Sequence, residues 1–322
     1  MRFIVTGGAG FIGHNVVRML EEQGHECLVI DSTTNYGFIH KAEVEYLINE
    51  RKRRIRATVH HLDLRDHRDI ENFFKTFALN CDGVVHLASF PRQKVVEKNP
   101  IWGADVMSSA LVNLLELSRQ FGVKRFTYVS SSMVYGDFAS GVTEDAVCAP
   151  QGQYGIMKLM GEQLVKDYSR RNCFDYTVIR PSAVYGELDV EDRVVSKFIL
   201  SALRGETLRV NGADECLDFT HVDDTARGIV QAILSAAAVN KTYNITRGQA
   251  HSLQSAAQMA TIITGQGRLE LRERDMSFPT RGALNISAAK QDFGYNPAVN
   301  IDDGFRRYAN WFKDSAYWKT KL

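Results

Sequence analysis

The chain has 322 residues, 44 % of them hydrophobic, and 39 Lys and Arg against 38 Asp and Glu give it a net charge of +1. That length suits one large α/β unit or two closely packed lobes, and the balanced charge gives no field to draw in nucleic acid or an anionic membrane, so neither is an expected partner. Five scattered cysteines without a CxxC pair, the lack of any apolar run of membrane-spanning length, and a first strand with no charged leader together read as a soluble, cytoplasmic protein with free thiols.

Met1 to Thr6 is a short apolar strand that runs into Gly7-Gly8-Ala9-Gly10-Phe11-Ile12-Gly13, and Val16, Val17 and Leu20 follow at helical spacing. In Gly8-x-Gly10-x-x-Gly13 the glycines permit a tight turn, let backbone N–H groups approach a pyrophosphate and let helix pack on strand. The helix N-terminus then holds the negative charge. A second strand, Glu26 to Asp31, ends in an acid. Such an acid binds both ribose hydroxyls and repels a 2′-phosphate, so NAD is expected over NADP. Lys41 to Arg54 reads as a charged helix, and the basic run Arg51 to Arg56 as its solvated end, because a nucleic-acid patch would interleave aromatics.

Further strands are expected at Ala57 to Asp63, Gly83 to Ala88, Arg125 to Ser130 and Tyr176 to Arg180, the last closed by Pro181. Helices are expected from Trp102 to Phe121 and from Tyr154 to Arg171, and after Pro181 from Asp223 to Leu234 and from Ser252 to Thr264. This alternation predicts a doubly wound parallel α/β sheet that binds its ligands at the carboxyl ends of the strands. A cofactor-binding unit is placed at residues 1–180 and a smaller C-terminal α/β substrate lobe at 181–322, with about 215–250 as a candidate return to the first unit. Asp31, Asp63, Ser89 and Ser131 all fall at strand ends. His60 and His61 lack a partner at metal-ligand spacing, so no metal site is expected.

Ser130-Ser131-Ser132 places hydroxyls just past a central strand, and Tyr154-x-x-x-Lys158 sets a phenol and an ammonium one helical turn apart on one face. A phenol is a poor base at neutral pH. A nearby Lys charge and a positive nicotinamide ring both favour its phenolate, which can then take a proton from a sugar hydroxyl. Ser131 would hydrogen-bond the same oxygen, and Lys158 would also reach the nicotinamide ribose.

At these residues the sequence resembles the extended short-chain dehydrogenase/reductase family, and within it the NAD-dependent nucleotide-sugar epimerases and dehydratases. The resemblance rests on TGGAGFIG at Thr6 to Gly13, Asp31, the Asp63-Leu64 pair, HLAS at His86 to Ser89 and SSSMVYG at Ser130 to Gly136. It continues through YGIMK at Tyr154 to Lys158, IRPSAVYG at Ile179 to Gly186, DFTHVDD at Asp218 to Asp224 and FGYNP at Phe293 to Pro297. It implies a Rossmann-type unit holding NAD through Gly7, Gly10, Phe11, Ile12, Gly13 and Asp31, with Asp63 and Leu64 flanking the adenine and Leu87 and Ala88 lining the cofactor. It implies Ser131, Tyr154 and Lys158 as the catalytic triad, a nucleoside-diphosphate sugar in the C-terminal lobe, and a homodimer made through a helix pair. Ser89, Arg92, Ser132, Met133 and Ser182 are its candidate substrate contacts. Family members carry Arg before the Asp of DFTHVDD, to bind the diphosphate; here that residue is Leu217. Arg193, Arg272, Arg274 and Arg281 are the candidate replacements, with Arg193 and Arg281 taken as substrate-binding. Asp105 stands where the family pattern has Asn, with no consequence assigned.

Family dehydratases carry an acid or Ser and then Glu in the two positions after the triad serine, and the decarboxylases also carry Glu in the second. Here they are Ser132 and Met133, and methionine cannot shuttle a proton. The expected reaction is therefore epimerisation at C4 through a transient keto-sugar and enzyme-bound NADH, which needs no further acid or base. The alternatives are a nucleotide-sugar dehydrogenase, reductase or dehydratase, and a non-catalytic NAD-binding sensor or scaffold. The retained Ser131, Tyr154 and Lys158 argue against the last.

Overall fold

The computed structural model describes residues 1–37, 39–90 and 92–322. Its first half alternates strands β1 (Arg2–Thr6), β2 (Glu26–Asp31), β3 (Val59–His61), β4 (Gly83–His86), β5 (Arg125–Val129) and β6 (Asp175–Arg180) with helices. These are α1 (Gly13–Glu22), α2 (Lys41–Arg53), α3 (His67–Phe77), α4 (Gln93–Lys98), α5 (Pro100–Ala104), α6 (Ala110–Gln120) and α7 (Gly152–Arg170). After Pro181 come β7 (Val184–Tyr185), α8 (Val194–Leu203), β8 (Thr207–Asn211), β9 (Cys216–Leu217), β10 (Thr220–His221), α9 (Val222–Leu234) and β11 (Lys241–Asn244). The chain ends with β12 (His251–Ser252), α10 (Leu253–Thr264), β13 (Arg268–Arg272), α11 (Ser287–Phe293) and α12 (Ile301–Asp314).

Seven strands pair in the order β11-β6-β5-β4-β1-β2-β3, every pair parallel. The order reverses between β1 and β4, which opens a crevice at their carboxyl ends. Side chains alternate across the sheet, so Ile4 packs with Val84, Leu114 and Phe126 on one face while Val5 packs with Val17, Val85 and Ile229 on the other. A third core, holding Ile199, Leu208, Phe219, Phe305 and Phe312, belongs to the smaller lobe. There β8 pairs with β13 and β9 with β12. β11 is itself the edge strand of the large sheet, and Ala226 of α9 and Ala289 of α11 share the core of Val5 and Val17.

Three expectations are corrected. β3 covers three residues instead of seven, because it is the edge strand and pairs only with β2. The expected helix from Trp102 is interrupted by a π-helical segment at Asp105–Ser109, between α5 and α6, a local widening that frequently marks functional positions. The basic run is not wholly solvated: Arg51 is only 7 % exposed. All five cysteines are free thiols, and among the described residues no helix is long and apolar enough to cross a membrane.

Candidate active site

The turn after β1 is shaped by backbone contact. Gly7 has φ +72° and sits so close to the end of β4 that a Cβ would lie 2.6 Å from the Ala88 nitrogen, while a Cβ on Gly13 would collide with the Gly7 carbonyl. Only glycine fits these two positions, and the resulting cradle leads into the N-terminus of α1, as a pyrophosphate requires. At the end of β2, the Asp31 carboxylate accepts from the Ala9 N–H at 2.9 Å and the Thr33 N–H at 2.7 Å. Burial raises its pKa, and those two N–H bonds, then Arg51, oppose the rise. Turn and acid together fit NAD, with room left on the carboxylate oxygens for ribose hydroxyls.

Gly7, Gly10, Phe11, Asp31, Asp63, Leu64, Leu87, Ala88, Ser89, Arg92 and Arg193 all line this crevice. Ile12 and Gly13 stand behind it, Ile12 packing into the core and Gly13 opening α1. Asp63 is engaged by its neighbour: Arg65 donates from Nη2 at 2.6 Å and from Nε at 3.0 Å, and this pairing holds the carboxyl below its usual range.

Ser131, Tyr154 and Lys158 come together where β5 ends against α7. The Tyr154 ring is half-buried, and burial raises its pKa; the Arg193 charge and a hydrogen bond with Ser131 pull it back. Lys158 is 4 % exposed, donates from Nζ to the Val129 carbonyl at 2.8 Å and lies 5.9 Å from the Tyr154 ring centroid. Burial pushes its pKa down to about 7, with Glu162 opposing.

On the substrate side, Ser132 and Ser182 are buried and bond each other through their hydroxyls at 3.0 Å. Met133 is 7 % exposed, and Arg281 Nη1 lies on its sulfur at 3.8 Å. Burial lowers the Arg281 pKa to about 10, only Glu215 opposing, so the guanidinium stays charged at neutral pH. Arg272 pairs with Glu270 on an exposed edge, and Arg274 with Glu215 at 3.2 Å. Leu217 is absorbed into the core of the small lobe. Arg92 is tied to Asp192 by an ion pair and donates to its carbonyl at 2.9 Å. Asp105 is exposed, and its charge acts on Arg65, which stands over the Trp102 ring at 5.7 Å.

Sequence reasoning missed a second set of lining residues. Arg51 donates to the Leu188 carbonyl from Nε at 3.1 Å and Nη2 at 2.6 Å, and its charge lies between Asp31 and Asp189. Asp189 is 2 % exposed, and its Oδ2 has no hydrogen-bond partner among the described residues. Tyr36 and Trp102, which line the crevice, meet each other and Phe90 in tilted and edge-on contacts, the Tyr36–Phe90 centroids 4.4 Å apart. A hint for Arg51 was available: with Leu47 it lies four residues on along one helical face, and Leu47 is apolar.

The profile of the NAD dependent epimerase/dehydratase family matches residues 3–246. A UDP-glucuronate 4-epimerase of Thermodesulfobacterium geofontis is 26 % identical over 97 % of this chain and 96 % of its own length. A UDP-glucuronic acid decarboxylase 1 of Xenopus tropicalis is 28 % identical over 97 % of this chain and 72 % of its own. The crystal structure of Thermotoga maritima UDP-glucose 4-epimerase with UDP-glucose superposes with a TM-score of 0.86 at 26 % identity, covering all of both chains. The chain belongs to the NAD-dependent epimerase/dehydratase family.

Proposed function

We propose that the protein is an NAD-dependent epimerase that inverts C4 of a UDP-linked sugar. The carrying observation is Met133: beside Ser131 and Tyr154 the chain offers hydroxyls and a thioether capped by Arg281, and no carboxyl at the position from which elimination would be driven. The UDP-sugars named for its relatives support the substrate class. NAD, held by the Gly7–Gly13 turn and Asp31, would supply a reversible hydride acceptor at C4. Tyr154 Oη takes the proton of the C4 hydroxyl and gives it back after the sugar has presented its other face. Ser131 Oγ holds that oxygen. Lys158, fixed by the Val129 carbonyl, favours the phenolate through its charge. Arg281 and Arg193 supply the positive charge that Leu217 does not, and a diphosphate is a suitable partner for both.

A homodimer belongs to this reading. Ile101, Val112 and Ile156, on α5, α6 and α7, are 81 %, 42 % and 53 % exposed, an apolar presence on adjoining helices that a second copy would cover. Sedimentation at micromolar concentration decides it, a monomer removing the dimer.

For the reaction itself, the protein is incubated with NAD and a panel of UDP-sugars and the sugar is followed by NMR. Inversion at C4 without lasting NADH absorbance is the expected result. Stoichiometric NADH would make the protein a dehydrogenase, loss of water a dehydratase, and tight NAD binding with no turnover a sensor.

A further inference from the structure

We propose that Glu162 is a positioning residue for Ser131, Tyr154 and Lys158: it ties the end of β5 to α7 and thereby sets the three groups relative to one another. The proposal rests on the reading of those three residues as the proton-handling site.

Glu162 is fully buried and lies one helical turn beyond Lys158 and two beyond Tyr154, on the same face of α7. Its Oε1 accepts from Ser130 Oγ at 2.6 Å and Arg180 Nε at 2.9 Å, and its Oε2 from Arg180 Nη2 at 2.7 Å. Arg180 is braced in turn, donating from Nη1 to the Tyr135 hydroxyl at 2.9 Å and to the Glu144 carbonyl at 3.0 Å. Each partner is held by others, so the carboxylate has a single place to be.

Ser130 stands between the two residues that touch the site. The carbonyl of Val129, just before it, receives Lys158 Nζ at 2.8 Å, and the hydroxyl of Ser131, just after it, meets Tyr154. Three consecutive residues at the strand end thus face Lys158, Glu162 and Tyr154 of the helix. The backbone bonds at this point, Ser130 N–H to Ile179 and Ser132 N–H to Pro181, run to the neighbouring segment and leave α7 untouched. The Ser130–Glu162 bond links this strand end to the helix between the Lys158 and Tyr154 contacts and involves neither of those two side chains.

The carboxylate also has an electrostatic effect. The titratable groups facing Lys158 are Tyr154 and Glu162 on its own helix, Tyr128 of β5, whose ring centroid is 5.2 Å from Nζ, and His86 of β4. Burial keeps both phenols protonated and pushes the His86 pKa down to about 3, so these three are neutral near pH 7. The charge that supports a protonated Lys158 comes from Glu162, whose own counter-ions are Arg180 at 2.7 Å and Lys166, one turn further along α7, at 3.9 Å.

Two variants test this in the full chain. Glu162→Gln keeps the shape and loses the charge; the Lys158 ammonium, followed by side-chain nitrogen NMR, is expected to titrate about one pH unit lower than in the native protein. Ser130→Ala keeps the Glu162–Arg180 pair and loses the tether. It is expected to fold, bind NAD as before and lower kcat about tenfold or more with KM unchanged, as a small misplacement of reacting groups does. An unmoved Lys158 midpoint in Glu162→Gln, or full kcat in Ser130→Ala, overturns the proposal. If Glu162→Gln does not fold, Ser130→Ala decides alone. If the native protein turns over no UDP-sugar, the proposed reaction fails, and the Lys158 titration, which needs no substrate, still decides the part played by Glu162.

Discussion

Replacing Lys158 by methionine should abolish turnover and yet stabilise the cofactor-free protein. Burial moves the Lys158 pKa from the usual 10.5 to about 7, and at about 1.36 kcal/mol per unit the folded state bears a cost on the order of 5 kcal/mol when the amine is protonated. Methionine has nearly the same length and no charge. It gives up the hydrogen bond to the Val129 carbonyl, about 1 kcal/mol, while the attraction of Glu162 is already contained in that shift, so a net gain of about 4 kcal/mol remains. The folded pKa lies below the unfolded one. Relative to the variant, the native chain is therefore handicapped in full below about pH 7, and the handicap fades as pH rises from about 7 towards 10.5. Urea unfolding of both proteins, freed of NAD, at pH 6 and again near pH 10 measures the difference. A variant less stable than the native chain at pH 6, or a gain that does not shrink at high pH, would refute the reasoning.

Arg281→Met should weaken UDP binding by about 10- to 100-fold, the worth of a charge-assisted contact, and leave NAD affinity unchanged; calorimetry with each ligand separates the two, and unchanged UDP affinity would remove Arg281 from the diphosphate site. In Gly13→Ala the new Cβ meets the Gly7 carbonyl, so the turn must open and NAD binding should fall by at least tenfold, a loss of about 1.4 kcal/mol or more; equal affinity would show that the turn yields cheaply. Burial depresses the pKa of His14 and His86 from 6.5 to about 3. Their neutral forms stabilise the fold above pH 6.5, and that contribution is lost as pH falls towards 3, with a combined slope of up to about 2.7 kcal/mol per pH unit. In His86→Gln, which retains a partner for the Thr6 hydroxyl, the slope measured by urea unfolding between pH 6 and 4 should be roughly halved; an unchanged slope would count against His86.

What the sequence disclosed follows from what each feature depends on. The strands of the large sheet are read from short apolar runs because burial on both faces demands them, and the glycine turn is legible because its residues cannot be anything else at Gly7 and Gly13. Helix spacing alone puts Tyr154 and Lys158 on one face. The π-helical segment at Asp105–Ser109 has no such signature, since its residues suit an α-helix equally well. β3 was overestimated for the opposite reason: alternation marks residues able to pair, and an edge strand lacks partners along part of its length.

Charged residues are where local reading fails most, because burial of a charge is decided by partners distant in sequence. Arg51 sits in a run that looks solvated, and it is buried because the Leu188 carbonyl, 137 residues on, receives it. Leu188 itself has φ +68°, a costly conformation for a branched residue, which places its carbonyl at the crevice beside Asp189. Ser132 and Ser182, substrate contacts by the family resemblance, follow strands that are neighbours in the sheet, and their hydroxyls bond each other, a pairing that residues fifty apart do not announce. The same adjacency works in favour of the site at Met133. A thioether attracts no comment as a chemical group, but its contact with Arg281 brings a segment from the end of the small lobe against the Ser131 turn. On the proposed reading, Arg281 replaces from a different direction the positive charge missing at Leu217, and Met133, which cannot carry a proton, stands where an elimination would need a carboxyl.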